Sequence, residues 1–116
     1  PLVVSALAES LNKDQTSLES FLHRCTLRGQ LIKATPNRYF HPKAIARLAD
    51  IAHTSAHDHD GELKVQSFRD ASGIGRNLTI EILEFFDALG FTRRLENTRH
   101  IIKPLEQVFG SGTPGN

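Results

Sequence analysis

The chain has 116 residues, enough for one ordinary domain or two very small ones. Hydrophobic residues make up 39% and charged residues 23%, the balance of a chain that folds in water and not of a disordered or membrane-embedded one. With 14 basic against 13 acidic side chains the formal net charge is +1, which excludes a globally cationic nucleic-acid binder and leaves only local segregation of charge.

No apolar run approaches the roughly 18 residues needed to span a bilayer, and Pro1-Leu2-Val3-Val4 lacks the basic flank and length of a signal peptide. A cytoplasmic protein with no membrane partner is therefore expected. The single Cys25 has no partner for an internal disulfide, and its apolar company predicts a buried small hydrophobe.

Val4, Leu7, Ala8 and Leu11 keep one helical face, and Asn12-Lys13-Asp14 then offers a turn with capping residues. A second helix carries Leu18, Phe21, Leu22 and Cys25 as its apolar stripe and stops at Gly29. Residues 31–34 and 38–41 are strand candidates around Thr35-Pro36-Asn37, whose proline and asparagine suit a tight turn. Helix, turn, helix, hairpin is the winged-helix order.

Pro42 suits the first position of a long helix, in which Ile45, Leu48, Ala49 and Ala52 run as a stripe toward Asp60-Gly61. Leu63-Lys64-Val65 is expected as a short first strand, and Ser67 as the cap of a brief helix, residues 68–71, ending at Ser72-Gly73. The helix after Gly75 is expected to bury Leu78, Ile82, Phe85, Phe86 and Leu89 and to stop at Gly90. Residues 91–95 and 99–102 then form a second hairpin, with Glu96-Asn97-Thr98 at its tip. A shift of 61 residues superimposes the halves: Phe21-Leu22 on Ile82-Leu83, Cys25 on Phe86, Gly29 on Gly90, Lys33 on Arg94 and Arg38 on Arg99. After Phe109 the tail has nothing to bury and is expected to be disordered.

The fold class expected is mostly α with small β-hairpins, as two tandem winged-helix domains: residues 1–57 and 58–110, followed by a tail at 111–116.

In a helix-turn-helix the first turn of the second helix faces nucleic acid, with N–H groups and the positive dipole end pointing at phosphate. Here that turn is Gly73-Ile74-Gly75-Arg76-Asn77. Between Lys64 and Asn77 the charged side chains are Lys64, Arg69, Asp70 and Arg76, whereas Glu81, Glu84 and Asp87 cluster toward the other end of the same helix. Strand alternation sends Arg93 and Arg94 to opposite faces, so one of the two reaches a ligand. Ile80 falls outside the apolar stripe and is weighed as a contact to RNA or to a neighbouring module.

Other chemistries fare worse. Gly73-Ile74-Gly75 lacks the third glycine and the βαβ context of a dinucleotide loop. His53, His57 and His59 beside Asp58 and Asp60 could ligate zinc, but no cysteine pair or second ligand cluster completes a site, so no metal is expected. No nucleophile has a partner set, so no catalytic residue is assigned and the chain is not expected to be an enzyme.

The run Gly73-Ile74-Gly75-Arg76-Asn77-Leu78, then Ile82-Leu83-Glu84-Phe85-Phe86-Asp87, then Gly90-Phe91-Thr92-Arg93-Arg94 closely resembles the C-terminal winged-helix domain of the bacterial SelB family of selenocysteine-specific translation factors. The resemblance covers residues 63–109 strongly; residues 1–57 match the preceding domain of that family by position and element order. It implies binding of the selenocysteine insertion (SECIS) hairpin in messenger RNA beside an in-frame UGA codon. By position, Arg69, Arg76 and Asn77, with the backbone around Gly73 and Gly75, are assigned to the loop and its phosphates. Lys64, Gln66 and Arg93 or Arg94 take flanking contacts. GTP, magnesium and selenocysteyl-tRNA belong to other parts of such a factor, since this chain has no phosphate-binding P-loop. The chain thus reads as a monomeric fragment without a cofactor, meeting the ribosome through the full-length factor. A DNA-reading transcription regulator is the alternative, and a protein-docking module a third.

Overall fold

The computed structural model describes residues 2–11 and 14–109. The expected Asn12-Lys13 turn and the tail at 111–116 lie outside the described residues. The chain divides into two compact units, Pro1–Ile45 and Ala46–Asn116. In the first unit, strand β1 (Leu2–Val3) leads into α1 (Val4–Leu11) and α2 (Gln15–Leu27), followed by a hairpin of β2 (Ile32–Thr35) and β3 (Arg38–Phe40). Its sheet has the antiparallel order β1-β3-β2. Helix α3 (Pro42–His57) starts with Pro42 and crosses the division between the units. The second unit continues with α4 (Val65–Ser72), α5 (Arg76–Leu89), a hairpin of β4 (Thr92–Leu95) and β5 (Thr98–Ile101), and α6 (Leu105–Phe109). Among the described residues no helix is long and apolar enough to cross a membrane.

The 61-residue repeat extends to the element boundaries. Helices α1 and α4 start at Val4 and Val65, and α2 and α5 at Gln15 and Arg76. Both second helices end in the same way. Gly29 N–H donates to Thr26 C=O and Gln30 N–H to Cys25 C=O; Gly90 N–H donates to Asp87 C=O and Phe91 N–H to Phe86 C=O. This pair of bonds needs a left-handed residue at its corner, and Gly29 and Gly90 supply φ of +74° and +78°.

The first core packs Val4, Ala8, Leu18, Leu22 and Tyr39, flanked by Leu7 and Leu31. The second is centred on Phe86, whose ring meets Phe91 edge-on at 5.3 Å, Phe109 at 5.8 Å and Phe68 at 6.3 Å between centroids. Such tilted pairs set the positive ring edge against the negative face of the neighbour.

Several sequence expectations fail locally. Phe21 is 53% exposed, although its repeat partner Ile82 is sealed. Leu11 is likewise exposed and Cys25 only half-buried. Leu89 is exposed in the last turn of α5, and the buried face there is Thr79, Ile82, Leu83 and Phe86. Thr79 is tolerated because its Oγ1 donates to the Gly75 carbonyl at 2.8 Å. The expected strand at 63–65 lies two residues earlier: Glu62 bridges His100, Leu63 N–H donates to Arg99 C=O and Ile101 N–H to Gly61 C=O. Helix α4 therefore begins at Val65 with Lys64 at its cap position, and Ser67 lies inside the helix instead of capping it.

Candidate nucleic-acid interface

The second unit carries a cleft of about 460 Å³ lined by Lys64 and Val65, by Arg76, Ile80 and Glu84 along one face of α5, and by Arg94, Asn97, Thr98 and Arg99 of the hairpin, with Glu62 and Leu63 behind. Each contribution follows from local geometry. Positions 76, 80 and 84 are successive turns of one helix. In the hairpin Arg94 stands directly opposite Arg99 and Arg93 opposite His100, so Arg94 faces the cleft and Arg93 the other side.

The start of α4 gives this cleft its chemistry. A helix begins with N–H groups that have no partner within the helix. In the first unit the wing turn supplies them: Asn37 accepts from Val4 N–H through its carbonyl at 3.0 Å and from Ser5 N–H through its Oδ1 at 3.3 Å. In the second unit the capping residue is Lys64, which offers no side-chain acceptor. No side chain caps the start of α4, and Val65, its first residue, lines the cleft. The uncapped helix start at Val65 and the exposed cations Lys64, Arg76 and Arg94 line one concavity, and with the positive end of the α4 dipole this is an arrangement suited to phosphate oxygens. The first unit does not repeat it, since Val3, Gln15 and Lys33 stand where the second has Lys64, Arg76 and Arg94.

Of the residues assigned from sequence, Lys64, Arg76 and Arg94 come together. Asn77 is exposed beside Arg76 in the first turn of α5 but does not line the cleft, and neither do Gln66, Arg69, Gly73, Gly75 and Arg93. Gln66 Nε2 donates to Asp70 Oδ1 at 2.8 Å. Arg69 lies half-buried toward the other end of α4, where Gly73 N–H and Ser72 Oγ donate to its carbonyl. Gly73 is the left-handed stop of α4, which explains that glycine by backbone geometry, whereas Gly75 precedes α5 in an extended conformation open to any residue. The residues missed were Leu63, Val65, Asn97, Thr98, Arg99 and the carboxylates Glu62 and Glu84. Ile80, 40% exposed, lines the cleft beside Val65 at 42%. Its misfit with the apolar stripe was the one signal available in advance. Among the described residues no group of histidine, cysteine, aspartate and glutamate could hold a metal ion.

A helix-turn-helix followed by a hairpin wing, with cations gathered between wing and helix, defines the winged-helix class of nucleic-acid-binding domain. Residues 56–101 match the family described as "Elongation factor SelB, winged helix". The selenocysteine-specific elongation factor of Escherichia coli is 31% identical over 103 residues, covering 89% of this chain and 16% of that protein. The Haemophilus influenzae factor of the same name is 29% identical over 100 residues, covering 86% and 16%. Among solved structures, the mRNA-binding domain of elongation factor SelB from Escherichia coli, in complex with SECIS RNA, superposes with a TM-score of 0.81 at 29% identity, covering 87% of this chain and 83% of that one. Over residues 56–101 the second unit thus matches a winged-helix domain of the SelB family. The chain spans 16% of the length of the curated relatives it matches, and the matched part is winged-helix and not GTPase.

Proposed function

We propose that this chain is the messenger-RNA-binding part of a selenocysteine-specific elongation factor, with the module at residues 58–110 gripping a SECIS-type hairpin and the module at 1–57 preceding it. The observation that carries the reading is the uncapped start of α4 set among Lys64, Arg76 and Arg94, in the unit that matches the SelB family and not in its repeat. Arg69, Asn77 and the Gly73–Gly75 turn extend the contact along the hairpin tip, and Gln66 and Arg93 flank it.

RNA suits the cleft better than DNA. A-form stems close their deep major groove to side chains, so proteins read exposed loops and bulges, and a small concave site fits such a tip. A recognition helix lying deep in a DNA major groove would bring the exposed Glu84 of α5 toward phosphates. In the longer protein, GTP, magnesium and selenocysteyl-tRNA bind elsewhere, the ribosome is met through the whole factor, and the hairpin brings it to the UGA codon as a cytoplasmic monomer. The deciding experiment compares filter binding of a SECIS hairpin, its unstructured scramble and a DNA duplex of equal length. Preference for the hairpin is expected, and equal or tighter binding of duplex DNA overturns the reading.

A further inference from the structure

Asp87 lies in the last turn of α5, where the helix dipole disfavours a carboxylate. What holds it there is the wing. Arg99 of β5, only 8% exposed, donates Nε to both Asp87 oxygens at 3.0 and 3.2 Å and Nη2 to Oδ2 at 2.9 Å. Thr92 of β4, also buried, donates Oγ1 to Oδ1. A single carboxylate thus anchors both strands of the hairpin, and the multiple bonds to a planar guanidinium fix orientation as well as distance.

The register gives this anchor a function. Arg94 is two residues along β4 from Thr92 and directly opposite Arg99, so the two arginines share a face. Like charges placed opposite each other in a ladder repel. Asp87 neutralises Arg99 and turns its guanidinium toward α5, and both arginines line the cleft. The first unit shows the hairpin without this device. Thr26 stands in place of Asp87 and Leu31 in place of Thr92. There the register shifts within β2, Lys33 opposes Tyr39, and the Lys33 ammonium lies 5.7 Å from that ring's centroid.

We propose that Asp87, with Thr92, is a positioning residue for RNA binding: by holding Arg99 against the end of α5 it makes Arg94 the charge that the wing presents to the cleft. The proposal rests on the reading of the cleft as an RNA site, and its test separates the two. Affinity for a SECIS hairpin is measured for Arg94→Ala and Arg76→Ala, each in the wild-type chain and in Asp87→Asn, with thermal unfolding as a control. In the wild-type background each arginine substitution should weaken binding about tenfold. In Asp87→Asn the Arg94→Ala penalty should shrink to under about twofold while the Arg76→Ala penalty persists, a difference that general loosening of the fold would not produce. If Asp87→Asn fails to fold, the same cycle is read in Thr92→Val, where a reduced Arg94→Ala penalty is expected. An Arg94→Ala penalty unchanged in the folded background overturns the positioning role. Loss of no affinity in either single substitution overturns the RNA site itself.

Discussion

Arg76 is an exposed cation on the first turn of α5, with its stem along the cleft and no role in either core. Arg76→Ala should cost about 1–3 kcal/mol of hairpin affinity and leave the melting temperature unchanged; full-strength binding in the variant would relocate the site. Phe86 presents the opposite case, a ring sealed among Phe68, Phe91 and Phe109. Phe86→Ala should lower unfolding free energy in urea by about 3–5 kcal/mol, through lost burial and a cavity that neighbouring rings cannot fill. The exposed cation and the sealed ring could both be read from sequence, because one residue follows a glycine turn and the other lies in an apolar stripe. Asp87 could not. In sequence it is a third acid on a helix, a solvated repulsive charge, whereas its partners Arg99 and Thr92 come from strands whose register only the folded hairpin fixes.

Helices α1 and α4 begin at equivalent positions, yet one is capped by its wing turn and the other is left open. The opening has a stability cost that substitution should recover. Lys64→Asp places a side-chain acceptor at the cap position and should raise unfolding free energy by about 0.5–2 kcal/mol. The same change removes a cation and fills the donors, so hairpin affinity should fall as stability rises; a variant improved in both respects would refute the role given to this helix end. The elements themselves were legible because Pro42, Gly29 and Gly90 punctuate them and the 3.6-residue stripes persist between. Their exact faces were less so. Phe21 and Ile82 occupy the same place in the repeat, but only Ile82 is sealed. Leu63-Lys64-Val65 alternates apolar and polar as a strand does, but the pairing runs through residues 61–63 and Val65 starts the helix.

For the chain as a whole, a few phosphate contacts at one cleft imply a hairpin affinity that falls linearly with the logarithm of salt, with a slope of roughly −2 to −4 for three or four phosphates neutralised. Arg76→Ala should flatten that slope by up to about one unit, whereas neutralising Arg24 and Arg28 of the first unit should leave it unchanged. Residues 42–116, which retain the helix opening the second unit, should bind nearly as well as the full chain. A slope set by the first unit's arginines would reverse this assignment of roles.

The placement of charge within the two units has a practical consequence. Residues 1–45 hold six basic and three acidic side chains, and residues 46–116 hold eight and ten. The half proposed to carry the phosphate site is therefore formally anionic, and the other half cationic. Fractionated by isoelectric point or on a sulfonated resin, the first unit would be taken for the polyanion binder and the second discarded. Recognition here depends on which few cations share a concavity, a property that electrophoretic mobility averages away.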